Sequence, residues 1–218
     1  MDEQLKARAV ELNNPEIDIY FQLCDGNNFL DDHEVQLTLP EIERLYPDEI
    51  STLELTGNIE KLIRYYQEVV SVAVRHKIEY SQYSHMFWVW LKIHNPEKAE
   101  LFSFSYLDTL IEIQQFQEWI DLNKTDEHYS NGDQGWEFVA LNENGKIYMY
   151  EEDGFHSGAL ESNYFISQAE LSEPLNSAFA RATDIVSVLA TSLGEDVWSK
   201  YKGYPWDKVN FGTENWRP

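Results

Sequence analysis

Cysteine is nearly absent. Cys24 is the single one in 218 residues, so no intrachain disulfide can form, and a chain that does without disulfides suits a reducing compartment. Cations are scarce as well: 16 Lys+Arg stand against 39 Asp+Glu, a formal charge of −23 at pH 7. Affinity for a nucleic-acid backbone comes from cations that displace condensed counterions, so this balance argues against direct nucleic-acid binding. An anionic lipid surface would repel the same charge. No stretch approaches the roughly 18 uninterrupted apolar residues of a membrane helix. The N-terminal residues mix Asp2, Glu3, Lys6 and Arg8 without an apolar core, and the expectation is a soluble cytoplasmic protein. Repeats, low-complexity tracts and Pro/Gly/Ser-rich linkers are missing too. One continuous domain over 1–218 is therefore expected, with an aromatic-rich C-terminal strap over about 195–218.

What is present is core material and acid. Hydrophobic residues make up 43% and aromatics 14% of the chain, which excludes global disorder. Acids outnumber bases 15 to 3 over residues 1–60 and 17 to 7 over 121–218, whereas 61–120 is close to neutral at 7 to 6. The densest runs are Asp31-Asp32-His33-Glu34 and Glu151-Glu152-Asp153. Acid on a surface keeps a protein soluble, but a surplus of this size also destabilises the compact state by self-repulsion. An electrostatic complement for a basic partner is the sharper reading.

The patterning predicts a short helix over 2–13 and leaves Ile17–Leu23 open between strand and helix. Val35–Leu39 looks like a strand, followed by a short helical turn from Pro40 toward Tyr46. From Asn58, a plausible N-cap, the apolar positions Ile59, Leu62, Ile63, Tyr66, Val69, Val70, Ala73 and Val74 fall on one helix face. A hairpin is expected from Met86–His94 and Lys98–Tyr106, turning at Asn95-Pro96-Glu97. Ser105 and Asp108 have capping-box spacing ahead of a helix through Leu110, Ile111, Phe116, Trp119 and Ile120. The polar stretch 123–134 reads as a surface loop. Trp136–Leu141 and Lys146–Glu151 form a second hairpin about Asn144-Gly145, and 160–167 are expected to add a strand. A long helix starting at Ser172, with Pro174 in its first turn, ends at Gly194. The fold class is α+β: an antiparallel sheet built from hairpins with amphipathic helices packed on one face.

Few patterns carry chemistry. Asp25 beside Cys24 raises a thiol pKa, so the cysteine reads as structural and buried. The histidines at 33, 76, 85, 94, 128 and 156 show no metal-binding spacing. The run 25–32 lacks the glycine and spaced oxygens of a calcium loop. Gly132-Asp133-Gln134-Gly135 does not open a helix, and no Gly-x-Ser-x-Gly elbow occurs. Glu151 and Glu152 alternate across a strand and do not suit a shared acid/base pair. No catalytic residue, metal or cofactor is assigned. Trp88 and Trp90 share a strand face opposite Phe87 and suit a sheet buried on both sides. In the tail Trp198, Tyr201, Tyr204, Trp206, Phe211 and Trp216 follow no period, and suit a packed strap or a partner-binding arm.

At the second hairpin the residues resemble a family. Gly132-Asp133, then Trp136-Glu137-Phe138-Val139-Ala140-Leu141, the turn at Asn144-Gly145, and Lys146-Ile147-Tyr148-Met149-Tyr150-Glu151 are similar to the strand-turn-strand of the SUKH superfamily. Ser162-Asn163-Tyr164-Phe165 stands where such proteins carry a Ser-Phe before their last helix, and Leu39-Pro40-Glu41 is similar to their Leu-Pro helix entry. The resemblance implies an immunity-type protein that binds and neutralises a bacterial toxin, often a nuclease.

The leading expectation is thus a non-enzymatic, acidic protein that binds a basic protein partner, a toxin domain being the most concrete case. Asp31, Asp32, Glu34, Glu151, Glu152 and Asp153 would steer association, with aromatics such as Trp206 as anchors. Two alternatives remain open: an enzyme or small-molecule-binding domain that gathers His85, His94, His128 and His156 in one cleft, and an inhibitor that mimics DNA with spaced carboxylates.

Overall fold

The computed structural model describes residues 6–24, 41–95, 100–104, 109–122, 128–133, 136–153, 159–200 and 209–212, with backbone alone at 100–104, 133, 136, 152, 153 and 159–162. The elements in chain order are β1 (Val10–Glu11), β2 (Glu16–Gln22), β3 (Glu49–Ser51), α1 (Ile59–His76), a one-turn α2 (Tyr80–Tyr83) that continues as a 3-10 turn (Ser84–Phe87), β4 (Val89–His94) and β5 (Glu100–Phe104). They continue as α3 (Leu110–Asp121), β6 (His128–Asp133), β7 (Trp136–Glu143), β8 (Lys146–Asp153), β9 (Ala159–Ser167) and α4 (Gln168–Leu193). Hydrogen bonding sorts the strands into a sheet of five, ordered β1-β9-β8-β7-β6, and a sheet of four, ordered β3-β2-β4-β5. The β2–β3, β4–β5, β6–β7, β7–β8 and β8–β9 pairings are antiparallel, and the short β1–β9 pairing is parallel. The class is α+β. Among the described residues no helix is long and apolar enough to cross a membrane.

The chain divides into two compact units, Met1–Asp18 with Trp90–Asp108 and Glu112–Phe179, and Ile19–Val89 with Thr109–Ile111 and Ala180–Pro218. The first contains the five-stranded sheet. Its centre is the β7–β8 hairpin, where Asn144 and Gly145 take φ of 53° and 76° and supply the left-handed pair that a two-residue turn requires. From there the register runs without a slip from Glu143↔Lys146 to Trp136↔Asp153. Strand alternation then puts Phe138, Ala140, Ile147, Met149 and Ile166 on one buried face. Helix α3 covers it with Phe116, whose ring stands 5.6 Å from Phe138 and 5.0 Å from Tyr129. Gln168 Nε2 donates to the Ile120 carbonyl at 2.8 Å, and Gln117 to Asn176 at 2.6 Å, so α3 and the first half of α4 are tied together.

Several expectations for this unit change. Residues 10 and 11 are not helical: a short N-terminal helix is marginal by itself, and the open side of β9 offers backbone partners, with Leu12 N–H donating to the Phe165 carbonyl at 2.8 Å. The stretch expected as a loop over 123–134 contains β6, paired with β7 over six registers. Its polar residues hide the strand, which exists because β7 provides a ladder. Helix α4 begins four residues before Ser172, so Pro174 lies inside it. The start is set by Ser167, whose Oγ accepts the Glu170 N–H at 3.2 Å and donates to the Glu170 carboxylate at 2.5 Å, a Ser-x-x-Glu cap.

In the second unit α1 buries Leu62, Ile63, Tyr65, Tyr66, Val69, Val70, Val72 and Ala73, whereas Val74 is exposed. Asn58 does not cap it; its Nδ2 donates instead to the Glu54 carbonyl at 3.2 Å. Ile17–Leu23 resolves as strand, since β2 occupies Glu16–Gln22, and Tyr20↔Ser51 to Gln22↔Glu49 join it to β3. Residues 41–44 are irregular rather than helical. The strand expected from Met86 starts only at Val89, because Met86 and Phe87 close the 3-10 turn. Two tail residues belong to the core: Trp198 stands 5.1 Å from Tyr66 and 5.4 Å from Phe87, and Phe211 stacks at 5.7 Å on Phe87. The expected strand over 35–39, the turn at 96–97 and the capping box of Ser105 and Asp108 lie outside the described residues.

Candidate functional site

The strands β6, β7 and β8 end together, and their terminal rows are acidic. Register aligns Asn131 with Phe138 and Glu151, then Gly132 with Glu137 and Glu152, then Asp133 with Trp136 and Asp153. Neighbouring strands lie about 4.8 Å apart, so five carboxylate-bearing residues occupy the ends of three adjacent strands. Between Lys124 and Arg181 the one Lys or Arg is Lys146, and it lies at the turn end of the hairpin. There charge is compensated: Lys6 Nζ meets the Glu143 carboxylate at 2.9 Å, and Lys146 Nζ lies 4.4 Å over the Phe165 ring. The two ends of one sheet thus differ in the charge of the residues placed there.

Local chemistry keeps the acidic end in order. Tyr129, on the buried side of β6, packs against Phe116, Trp119 and Phe138 and anchors the strand to α3. Burial pushes its hydroxyl up to about 12; the nearby Glu112 charge adds to this, and a hydrogen bond from Asn131 opposes it. Glu137 is exposed, and its Oε1 accepts the Ser130 hydroxyl at 2.6 Å, a diagonal contact between β6 and β7 that holds the carboxylate in place. Glu151 is half-buried, in the row of Phe138.

Of the residues singled out in the sequence, the structure brings Glu151, Glu152 and Asp153 to this end, with Glu152 in register opposite Glu137. Asp31, Asp32, Glu34 and Trp206 lie outside the described residues, as do His33 and His156. Glu137, Ser130 and Gly132 were not singled out as site residues in the sequence, because their placement depends on a strand, β6, that carries little apolar alternation.

The histidines have different surroundings. His94 is buried on β4, His128 is exposed at the start of β6 in the other sheet, and His85 is half-buried in the 3-10 turn. His94 shares its strand face with Lys92, whose Nζ lies 5.0 Å over the Trp90 ring; Lys92 and His94, like the buried Asp18 of β2, all have partners. Trp88 and Trp90 are half-buried. Cys24 is half-buried rather than buried, and its N–H donates to Tyr65 Oη at 2.8 Å. Among the described residues no group of three or more His, Cys, Asp or Glu is placed to hold a metal ion.

Comparison with protein-family models, with curated proteins and with solved structures finds no match to this chain.

Proposed function

We propose that the protein is a non-enzymatic binder of a basic protein, most concretely an immunity protein of the SUKH kind that neutralises a nuclease-type toxin. The observation that carries the reading is the direct opposition of Glu137 and Glu152 in register at the open end of β7 and β8. Like charges directly opposite one another in a sheet are destabilising, and Asp133, Glu151 and Asp153 occupy the adjacent rows, on the other face of the sheet. A cationic surface docked on that end would complement these acidic positions, and such complementarity steers association. The order β7, β8, β9 and then a long helix supports the resemblance carried by the hairpin.

The test is purification of the tagged protein from its native host at low salt, beside the Glu137→Lys variant. The expected result is a stoichiometric basic protein, released by added salt, retained poorly by the variant, and inhibited by the wild-type protein in a nuclease assay. A partner that binds both proteins equally and resists salt would refute the reading, because screened charge pairs must weaken as the Debye length shortens.

A further inference from the structure

We propose that Asn144 is a self-modification site, at which the backbone nitrogen of Gly145 displaces the side-chain amide as ammonia and water then converts the residue to aspartate or isoaspartate. The inference does not depend on the proposed function.

The chain has two Asn-Gly dipeptides, Asn131-Gly132 and Asn144-Gly145. A glycine after asparagine leaves the attacking nitrogen unshielded by a side chain and the backbone around it free to rotate, so in the unfolded chain both are open to the same reaction. The fold treats them differently. Asn131 is half-buried inside β6, in register with Phe138 and with paired residues before and after it, and its side chain is hydrogen-bonded to the Tyr129 hydroxyl. Bringing the Gly132 nitrogen onto Asn131 Cγ needs a backbone rotation that breaks both the ladder and that bond. Asn144 is exposed, makes no side-chain hydrogen bond among the described residues, and lies beyond the last pair of its ladder, Glu143↔Lys146. Gly145 is exposed as well, and a Cβ added there would meet nothing within 4 Å, so the space around the reacting nitrogen is open.

The reaction needs water and no redox partner. The Gly145 nitrogen, its proton taken by solvent, bonds to Asn144 Cγ; the Cγ–Nδ2 bond breaks, and ammonia leaves with a proton from solvent, closing a cyclic imide. Water then opens the ring. Cleavage of the new Cγ–N bond gives aspartate on an unchanged backbone, whereas cleavage of the Asn144 C–N bond gives isoaspartate, whose backbone runs through Cβ and Cγ and is longer by an atom.

The turn accepts these products unequally. Asn144 and Gly145 hold φ of 53° and 76°, and aspartate tolerates the left-handed region much as asparagine does. Isoaspartate lengthens the two-residue turn from which the β7–β8 register runs out to Trp136↔Asp153, and a turn of fixed length is what sets the register of a hairpin. The isoaspartyl chain is therefore a loosened form of the hairpin at the centre of the sheet.

The test incubates the full chain in mildly alkaline buffer, folded and in urea, and follows both asparagines by tandem mass spectrometry. In the folded protein acid should appear at Asn144 at least about tenfold faster than at Asn131, which must first give up its hydrogen bonds; in urea the two rates should converge. The isoaspartyl fraction, separated by chromatography, should unfold at lower urea than the untreated protein, and the Asn144→Asp variant should unfold with the untreated protein. Reaction of Asn131 at an equal or greater rate in the folded protein, or of neither site while both react in urea, would overturn the inference. An isoaspartyl fraction as stable as the untreated protein would overturn its link to the hairpin register.

Discussion

Tyr65 and Tyr66 are neighbours on α1, both buried, and their hydroxyl groups predict opposite consequences of the same substitution. Tyr65 Oη accepts the Cys24 N–H at 2.8 Å. Among the described residues no atom stands at hydrogen-bond geometry to Tyr66 Oη, which is fully buried, and the facing Trp198 Nε1 is likewise unbonded. Burial pushes both phenols well above the ordinary tyrosine range; the indole N–H opposes this at Tyr66 without offsetting it. A buried polar group left without a bond costs about 1–3 kcal/mol in mutational data. Tyr66→Phe removes that group, at the expense of the few dispersion contacts its oxygen makes, and should stabilise the protein by about 1 kcal/mol. For a chain of this size that raises the Tm by about 2–4 °C. Tyr65→Phe does the reverse: it leaves the Cys24 N–H without its acceptor and should cost about 1–2 kcal/mol. Both residues belong to the same compact unit, so differential scanning calorimetry compares them in one transition, and the gap of about 2–3 kcal/mol between the variants exceeds the error of the method. A Tyr66→Phe variant destabilised by 1 kcal/mol or more would refute the reasoning, since the hydroxyl would then have to be bonded in solution.

Three further outcomes follow from the same geometry. Tyr65, Tyr66, Tyr80, Tyr83 and Tyr129 all have raised folded-state pKa values, with burial as the leading cause; their contribution is fully present below the unfolded value near 10 and is lost as pH rises through the folded values, by up to about 1.4 kcal/mol per pH unit for each tyrosine, so absorbance titration at alkaline pH should show a delayed phenolate step that coincides with unfolding, and a single step near the ordinary value in a still-folded protein would count against it. Gly194 takes φ of 81° and a Cβ there would lie 2.9 Å from the Gly212 nitrogen, whereas a Cβ on Gly212 meets nothing closer than 3.7 Å; Gly194→Ala should therefore cost more than the roughly 1–2 kcal/mol of a left-handed residue, Gly212→Ala should cost less, and urea titration showing the reverse order would contradict the packing. Truncation after Gly194 removes Trp198 and Phe211, and loss of one buried aromatic costs about 3–5 kcal/mol, so the shortened chain should lose cooperative unfolding of that unit; a transition with unchanged midpoint would show that the tail is dispensable.

How much of this was legible depends on where each signal resides. α1 was readable because Leu62, Tyr66, Val69, Val70 and Ala73 repeat at helical spacing, and β7–β8 because Asn144-Gly145 announces its own turn. β6 was not, since His128–Asp133 is a strand only when β7 lies beside it. The start of α4 was readable in principle: Ser167-x-x-Glu170 has the spacing of a capping box, but Pro174 is a louder helix-start signal and drew the boundary inward. The tail aromatics follow no period, so the burial of Trp198 and Phe211 against Tyr66 and Phe87 depends on contacts far away in sequence. At the candidate site Glu151, Glu152 and Asp153 stood out as a run, whereas Glu137 joins them only through a register that composition cannot specify.

The same register separates two explanations of the acid. Carboxylates kept merely for solubility have no reason to meet, and their repulsion is least when they are dispersed or interleaved with cations. At the turn end of the β7–β8 hairpin that is the arrangement, with Glu143 against Lys6 and Lys146 over Phe165. At the open end the chain does the opposite, placing Asp133, Glu137, Glu151, Glu152 and Asp153 on the ends of three adjacent strands, within a stretch from Thr125 to Ala180 whose one Lys or Arg, Lys146, lies at the turn end. Interleaving was available to this fold, since it is used a hairpin's length away. A concentration of acidic positions at one end of the sheet is the feature that the proposed basic partner would complement.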